Sequence, residues 1–481
     1  MQIQVLAAFI ISWALVASEA SENLMAPSWQ TATALAAYLF GAAGIAAANT
    51  ALGLRGLTRM GATLPRTLMR HNLLAMATAV WLTLGLAGVI YLGYGRWLMD
   101  DLGLTRLPLA GPLAAVGPFI VAMLVVWTMD YPFYRLARRR ILAARLTDEA
   151  RRPWTLGQYI AYNCRHRLLF IAVPVGLIML SYDLLCLYAW PYLAPLSAGE
   201  DIMLAASAGA AAGVFLIAPA LIVRIWRTER MDDKPLRRGL EEISHRLKLR
   251  FREILTWKSE GMIANAGVMG IWGRIRYVLL SDGLLENLDH RQVEAIFAHE
   301  AGHIASHHIL YSAMFTVASA AICAWGARML SQAAELDYLG EVAAALGLIS
   351  LVWFVGFGRI SRLFERQSDV ISAWSAGRQG GADPPDNDPD SQGRITPEGA
   401  AAFARALDSI ARLNGIPARQ RSWRHGSVAG RISYILYLGS TGGSRKGIDR
   451  AVRRVKLLIW VLVICAIALT AAWRLAQPAQ V

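Results

Sequence analysis

Long apolar stretches alternate with shorter polar ones along this chain, and that alternation sets what can be built from it. A helix crossing the apolar core of a bilayer needs about 20 mostly apolar residues, and about nine stretches approach that length. They lie at 3–18, 31–53, 73–94, 108–129, 168–192, 202–226, 309–330, 340–357 and 457–473. The first ends in Ser18-Glu19-Ala20, small residues suited to a signal peptidase. No Lys or Arg precedes it, however, so a retained span is the better reading.

Two polar blocks, 227–308 and 358–456, interrupt the pattern. In the first, Leu236, Leu240, Ile243 and Leu247 recur at helical spacing and predict an amphipathic helix from about Pro235 to Leu249, with Pro in its first turn. FREILTWKS, NAGVMGI and RYVLLSD are short apolar runs parted by Gly and polar residues, which predicts a small sheet. A further helix starts near Asp289, whose side chain caps it while Gln292 closes a capping box, and runs through Val293, Ile296 and Phe297 towards the next span. The second block opens with the helical pattern SRLFERQSDVISAWSAG. It then passes into GGADPPDNDPDSQG, too poor in apolar residues to order itself and read as a flexible loop at about 378–398. A helix around Ala400–Leu413, a loop holding Trp423 and His425, and a last span complete the chain. The expected fold is predominantly α, a multi-pass membrane protein with a small α+β domain split between the two polar blocks. Its expected parts are a six-span N-terminal domain at 1–230, a first domain half at 231–308, a two-span hairpin at 309–357, a second half at 358–456, and a C-terminal span and tail at 457–481.

Composition agrees: 56% of residues are hydrophobic and 17% charged, outside the range of ordinary soluble enzymes. The basic residues sort by loop. Arg55, Arg59, Arg66 and Arg70 fill one connection, and Arg138, Arg139, Arg140, Arg151 and Arg152 another, whereas the alternate connections are short and acidic or mixed. The positive-inside rule places the arginine-rich loops, and with them both polar blocks, in the cytoplasm. The net charge of +14 is thereby explained by topology and anionic lipid, and no nucleic acid is expected as a partner. Cys164, Cys186, Cys323 and Cys465 have no spacing of a metal ribbon or redox pair. Of the 48 basic residues five are Lys, a bias suggesting a GC-rich bacterial genome, hence a bacterial inner membrane.

The chemistry concentrates in IFAHEAGHIASHHIL, residues 296–310. His299 and His303 are four apart and share a helix face, with Glu300 beside the first, a pattern suited to gripping one ion. Histidine near a membrane helix is costly unless it is paired or hydrated. A catalytic zinc site wants three protein ligands and an open position for water. Six residues after His303 stands Ile309, which excludes a third histidine at metzincin spacing. The remaining source is Phe364-Glu365-Arg366-Gln367-Ser368-Asp369, where two acids four apart share a face, one able to ligate and the other to hydrogen-bond a ligand histidine.

HEAGH followed, after two apolar spans, by ERQSD resembles the membrane-embedded gluzincin metallopeptidases, which include the CAAX prenyl endopeptidases and the HtpX heat-shock proteases. NAGVMG, VLLSDGLLENL and HGSVAGR strengthen the likeness, which covers about 235–435. The resemblance implies a zincin-like domain holding one Zn²⁺ per chain on His299, His303 and Glu365, with Asp369 supporting a ligand. Glu300 would be the general base for a zinc-activated water, His425 a donor to the tetrahedral intermediate, and Arg431 its support or a contact to a substrate carboxylate. Asn265 and Ala266 would lie on an edge strand that pairs with extended substrate. His307 and His308 are assigned to structure or to the membrane interface. Ser368 stands where the family's acidic motif carries Ala, and six spans precede HEAGH, more than in the heat-shock proteases. The expected function is an integral-membrane zinc endopeptidase acting on membrane or membrane-proximal polypeptides, in quality control or processing. A prenyl-peptide endopeptidase and a non-catalytic zinc-bearing scaffold or transporter subunit are the competing readings.

Overall fold

The computed structural model describes residues 2–16, 24–59, 64–104, 107–143, 153–335, 338–378 and 393–476. The chain divides into two compact units, Met1–Thr228 and Glu229–Val481.

The helices described in the first unit are α1 (Gln2–Val16), α2 (Trp29–Thr58), α3 (Arg66–Tyr94), α4 (Ala110–Ala143), α5 (Leu156–Leu193) and α6 (Gly199–Ile225). Five of these, α2 to α6, are long and apolar enough to cross a membrane. The first apolar stretch falls short: α1 has 15 residues, and the Ser18–Ala20 site lies outside the described residues. Some polar side chains inside the unit find partners, which a low-dielectric setting favours. His71 Nε2 lies 2.8 Å from Asp130 Oδ1, and the Tyr38 hydroxyl donates to the Leu82 carbonyl at 3.0 Å.

In the second unit β1 (Thr228–Arg230) leads into α7 (Lys234–Arg246), whose buried Leu236, Leu240 and Ile243 follow the expected period. Three predicted strands form: β2 (Glu253–Trp257), β3 (Ala266–Met269) and β4 (Tyr277–Ser281). With β1 they make a sheet of order β1-β2-β4-β3. β2 and β4 are parallel, with Leu255 opposite Leu279, and β3 runs antiparallel to β4, with Val268 opposite Val278. β3 is therefore an edge. One face of the sheet is covered by α8 (His290–Ala305), whose Val293, Ile296 and Phe297 pack with Ile254, Val278 and Leu280. Asp289 caps α8 as its sequence predicts: its carboxylate accepts from the Gln292 N–H at 2.8 Å, and the Gln292 side chain accepts from the Asp289 N–H at 3.3 Å.

After a two-residue turn at Ser306 and His307 the chain enters α9 (His308–Ala334). It returns through α10 (Tyr338–Val352), which passes through a π turn, Trp353–Phe357, directly into α11 (Gly358–Ala376). α9, the return helix over Gly347–Ala376 and the last helix bring the spanning helices to eight among the described residues. The expected loop at about 378–398 lies mostly outside them. α12 (Pro397–Leu413) follows the expected pattern, with Phe403 and Ala406 buried. The sequence reading ran from the His425 loop straight to the final span. Instead a helix intervenes, α13 (Val428–Ser440), capped by Ser427, before α14 (Lys446–Ala476). The chain is thus a predominantly helical, multi-pass membrane protein with a small mixed sheet.

Candidate active site

Three side chains able to hold a metal ion meet where α8 and α11 cross. Four-residue spacing puts His299 and His303 on one face of α8, and Glu365 and Asp369 on one face of α11. The helices come close because position 302 is glycine: a Cβ there would lie 3.2 Å from the Ser368 Cα. The Ser372 hydroxyl fixes the crossing by donating to the Ala295 carbonyl at 2.6 Å.

His299 Nε2 and His303 Nε2 are 3.3 Å apart. The Glu365 carboxylate faces both, 3.6 Å from the first and 3.5 Å from the second, and one donor atom from each residue lies within 4.8 Å of the others. Asp369 is fully buried, with Oδ1 3.0 Å from His299 Nδ1. Arg431, on α13, grips Asp369 with a fork, Nε donating to Oδ2 at 2.9 Å and Nη2 to Oδ1 at 2.6 Å. Its Nη1 also reaches Glu365 Oε2 at 3.3 Å. His425 stands half exposed at the rim, its Nδ1 2.8 Å from Glu365 Oε1.

Burial opposes charge on every one of these groups, and the partners decide the outcome. For His299, burial lowers the pKa, but Asp369 and then Glu365 more than offset it and hold it above the ordinary imidazole value. His303, penalised by burial and by the neighbouring His299, falls well below that value. Burial raises Glu300 above the ordinary carboxylate range. Arg431 loses to burial but gains more from Asp369 and Glu365, and stays firmly charged.

The residues fit a metal by their chemistry. Two imidazoles and a carboxylate are a zinc donor set. Each imidazole is also engaged from behind, which leaves its Nε2 facing Glu365. Asp369 is behind His299. Behind His303 is His308, with Nδ1 to Nδ1 at 3.0 Å; the other nitrogen of His308 lies 2.8 Å from Gln367 Oε1, and the Gln367 amide donates to Asp449 Oδ1 at 2.6 Å. This chain of contacts is not visible in the sequence, which assigns His307 and His308 alike to structure or to the membrane interface. The helix breaks at His307, whose φ is 54°, so it is His308, 2% exposed, that turns back to the site.

Asn265 and Ala266 lie apart from the donors, at the start of the edge strand. Ala266 is the first residue of β3, and exposed Asn265 precedes it, its backbone N–H donating to Ser281 Oγ and its carbonyl accepting from the Ser281 N–H, both at 2.9 Å. Asn414 holds the approach to the strand, donating to the Ala264 carbonyl at 2.7 Å.

A buried two-histidine, one-glutamate cluster with a second glutamate beside the first histidine, in a chain of membrane-spanning helices, defines a membrane metalloendopeptidase. Residues 231–384 of this chain match the model of peptidase family M48, a family of zinc-dependent peptidases. Its substrate is accordingly a polypeptide, and the bilayer is its surroundings. Among solved structures, the crystal structure of S. mikatae Ste24p aligns with a TM-score of 0.48 at 12% identity, covering 85% of this chain and 100% of that one. No curated protein matches the chain.

Proposed function

We propose that His299, His303 and Glu365 hold one zinc ion per chain and that Glu300 is the general base of peptide-bond hydrolysis. The observation that carries the reading is the convergence of the three donors of α8 and α11, with Glu300 next to a ligand. When bound, zinc supplies Lewis acidity and brings the pKa of its water to about 7. Glu300, its pKa raised by burial, would serve as the general base, accepting a proton from the attacking water and passing it to the leaving amine. Asp369 keeps the His299 ring and the Arg431 fork in register. His425, at the open rim, donates to the oxyanion that develops on the substrate carbonyl, supported by Arg431. A donor of this kind is worth roughly 10² to 10³ in turnover. The free edge of β3, at Asn265 and Ala266, pairs with extended substrate backbone.

The peptidase halves are 231–308 and 358–456, joined by the hairpin 309–357; an N-terminal membrane domain at 1–230 precedes them in the chain, and a C-terminal span and tail from 457 follows. The arginine-rich loops support a site facing the cytoplasm of a bacterial inner membrane. The substrates are membrane or membrane-proximal polypeptides, turned over in quality control or processing. Glu300→Gln is expected to keep its zinc and lose cleavage, and Glu365→Ala to lose both. Metal analysis alongside cleavage of an unfolded membrane substrate checks this, and ordinary cleavage by both variants refutes it.

A further inference from the structure

A cleft of about 760 Å³ opens from Glu365, between the helix that carries it and the segment 421–431. Its walls are clamped together. Trp423 Nε1 donates to the Phe354 carbonyl at 2.7 Å, and Arg362 Nη1 donates to the Trp423 carbonyl at 2.8 Å. The indole seats against Gly358, where a Cβ would lie 2.5 Å from Trp423 Nε1, so the loop cannot close this tightly on a larger residue. At the outer lip, on the end of the apolar run, Phe354 is 70% and Val355 46% exposed.

Between that lip and Glu365 the lining is guanidinium. Arg359, Arg362 and Arg366 project from one face of the helix at i, i+3 and i+7, and Arg421 comes from the facing loop. Glu365 is the one acid among the described lining residues, and it is already shared between His425 and Arg431. Arg359, Arg366 and Arg421 are exposed, and no carboxylate among the described residues lies within ion-pair distance of them. Arginines beside a span orient a membrane protein, but that need does not make them converge on one cleft. A recess lined by one sign of charge concentrates the opposite sign.

We propose that this cleft holds the substrate on one side of the scissile bond and selects polypeptides that carry a carboxylate there. The inference rests on the peptidase reading above and adds the substrate's chemistry. The carboxylate is an Asp or Glu side chain or a chain terminus, and the apolar lip receives the part of the substrate nearest the bilayer. A lipid phosphate would satisfy the same guanidinium groups. However, the cleft ends at Glu365, so whatever fills it lies against the reacting centre, which favours what is cut over what surrounds it.

The test uses the full chain in discs of zwitterionic lipid, with matched peptides that differ at one position flanking the cut: Glu, Gln or Lys, each with a free or an amidated C-terminus. The expected result is a kcat/KM about three- to tenfold higher for a peptide with the carboxylate, mostly through KM, since exposed charge pairs each contribute modestly. The preference should shrink as salt rises. In Arg359→Gln/Arg421→Gln it should fall towards one, and Arg421→Glu should shift it towards the Lys peptide, a reversal that mere loss of structure does not produce. If amidation abolishes the preference, the carboxylate is the terminus; if Glu→Gln does, it is a side chain; either supports the proposal. Equal cleavage of all peptides by the unmodified chain overturns the proposal and leaves the peptidase reading standing. Failure to cut any peptide with zinc bound overturns both. Retention of the preference by the double variant, together with loss of its binding to vesicles containing phosphatidylglycerol, makes the cleft a headgroup site and overturns the proposal.

Discussion

Two residues stand directly behind the histidines proposed as metal ligands. Asp369 has one oxygen near His299 and both in the Arg431 fork, and His308 links His303 to Gln367 and, through it, to Asp449. Partners of this sort fix ring tautomer and orientation, and losing one weakens metal binding by about 10- to 100-fold. His308→Phe, which keeps a ring to stack on Phe364, is therefore expected to weaken zinc by that factor while the chain stays folded. Asp369→Asn should do the same and also loosen Arg431. Competition with a chelator measures both, and unchanged affinity in each would reduce these contacts to packing. His299, Glu300 and His303 are legible in the sequence because helical spacing puts them together whatever follows. Glu365 and Asp369 need only a second helix. His308 is not legible, because its position depends on a left-handed backbone at His307 that no periodicity announces.

At the scale of elements, the site exists because α8 and α11 approach closely, and Gly302 leaves room for that approach, since a Cβ there would lie 3.2 Å from the Ser368 Cα. Gly302→Leu would have to push the Ser368 backbone aside, an overpacking that costs about 1–3 kcal/mol. The separation would also stretch the donor triangle. The expected outcome is a lower melting temperature together with loss of bound zinc. A variant that melts early yet keeps full zinc would show that the crossing can relax without disturbing the donors. Much of this framework is readable from local chemistry: the Asp289 capping box, the apolar faces of α7 and α12, and three strands between polar breaks. Two elements are not. β1 is the three polar-leaning residues Thr228–Arg230 and depends on pairing with β2. α13 follows a turn-like HGS sequence and carries the apolar run ISYILYLGS, which buries only Ile435 and Gly439 and so shows little of the pattern that marks a helix face.

Across the whole chain, the residues proposed for catalysis belong to one compact unit, Glu229–Val481, which contains three of the eight spanning helices among the described residues. The five in the other unit were legible as spans because an apolar run long enough to cross has few alternatives. What they contribute is written in contacts such as His71 with Asp130, which no linear pattern reveals. One junction in the catalytic unit constrains the reaction itself. His303 stands five positions before His308, where α9 begins, and only the turn at Ser306 and His307 separates the two helices. With so short a connection, the proposed centre would be held at a fixed distance from the start of α9, a helix long and apolar enough to cross a membrane. Single-span substrates in which a cleavable sequence is slid a few residues along the juxtamembrane segment should be severed at an unchanging distance from their own span, as mass spectrometry of the fragments would reveal. Cuts that followed the sliding sequence would mean recognition by motif; cuts that stay put would mean the bilayer serves as the enzyme's yardstick.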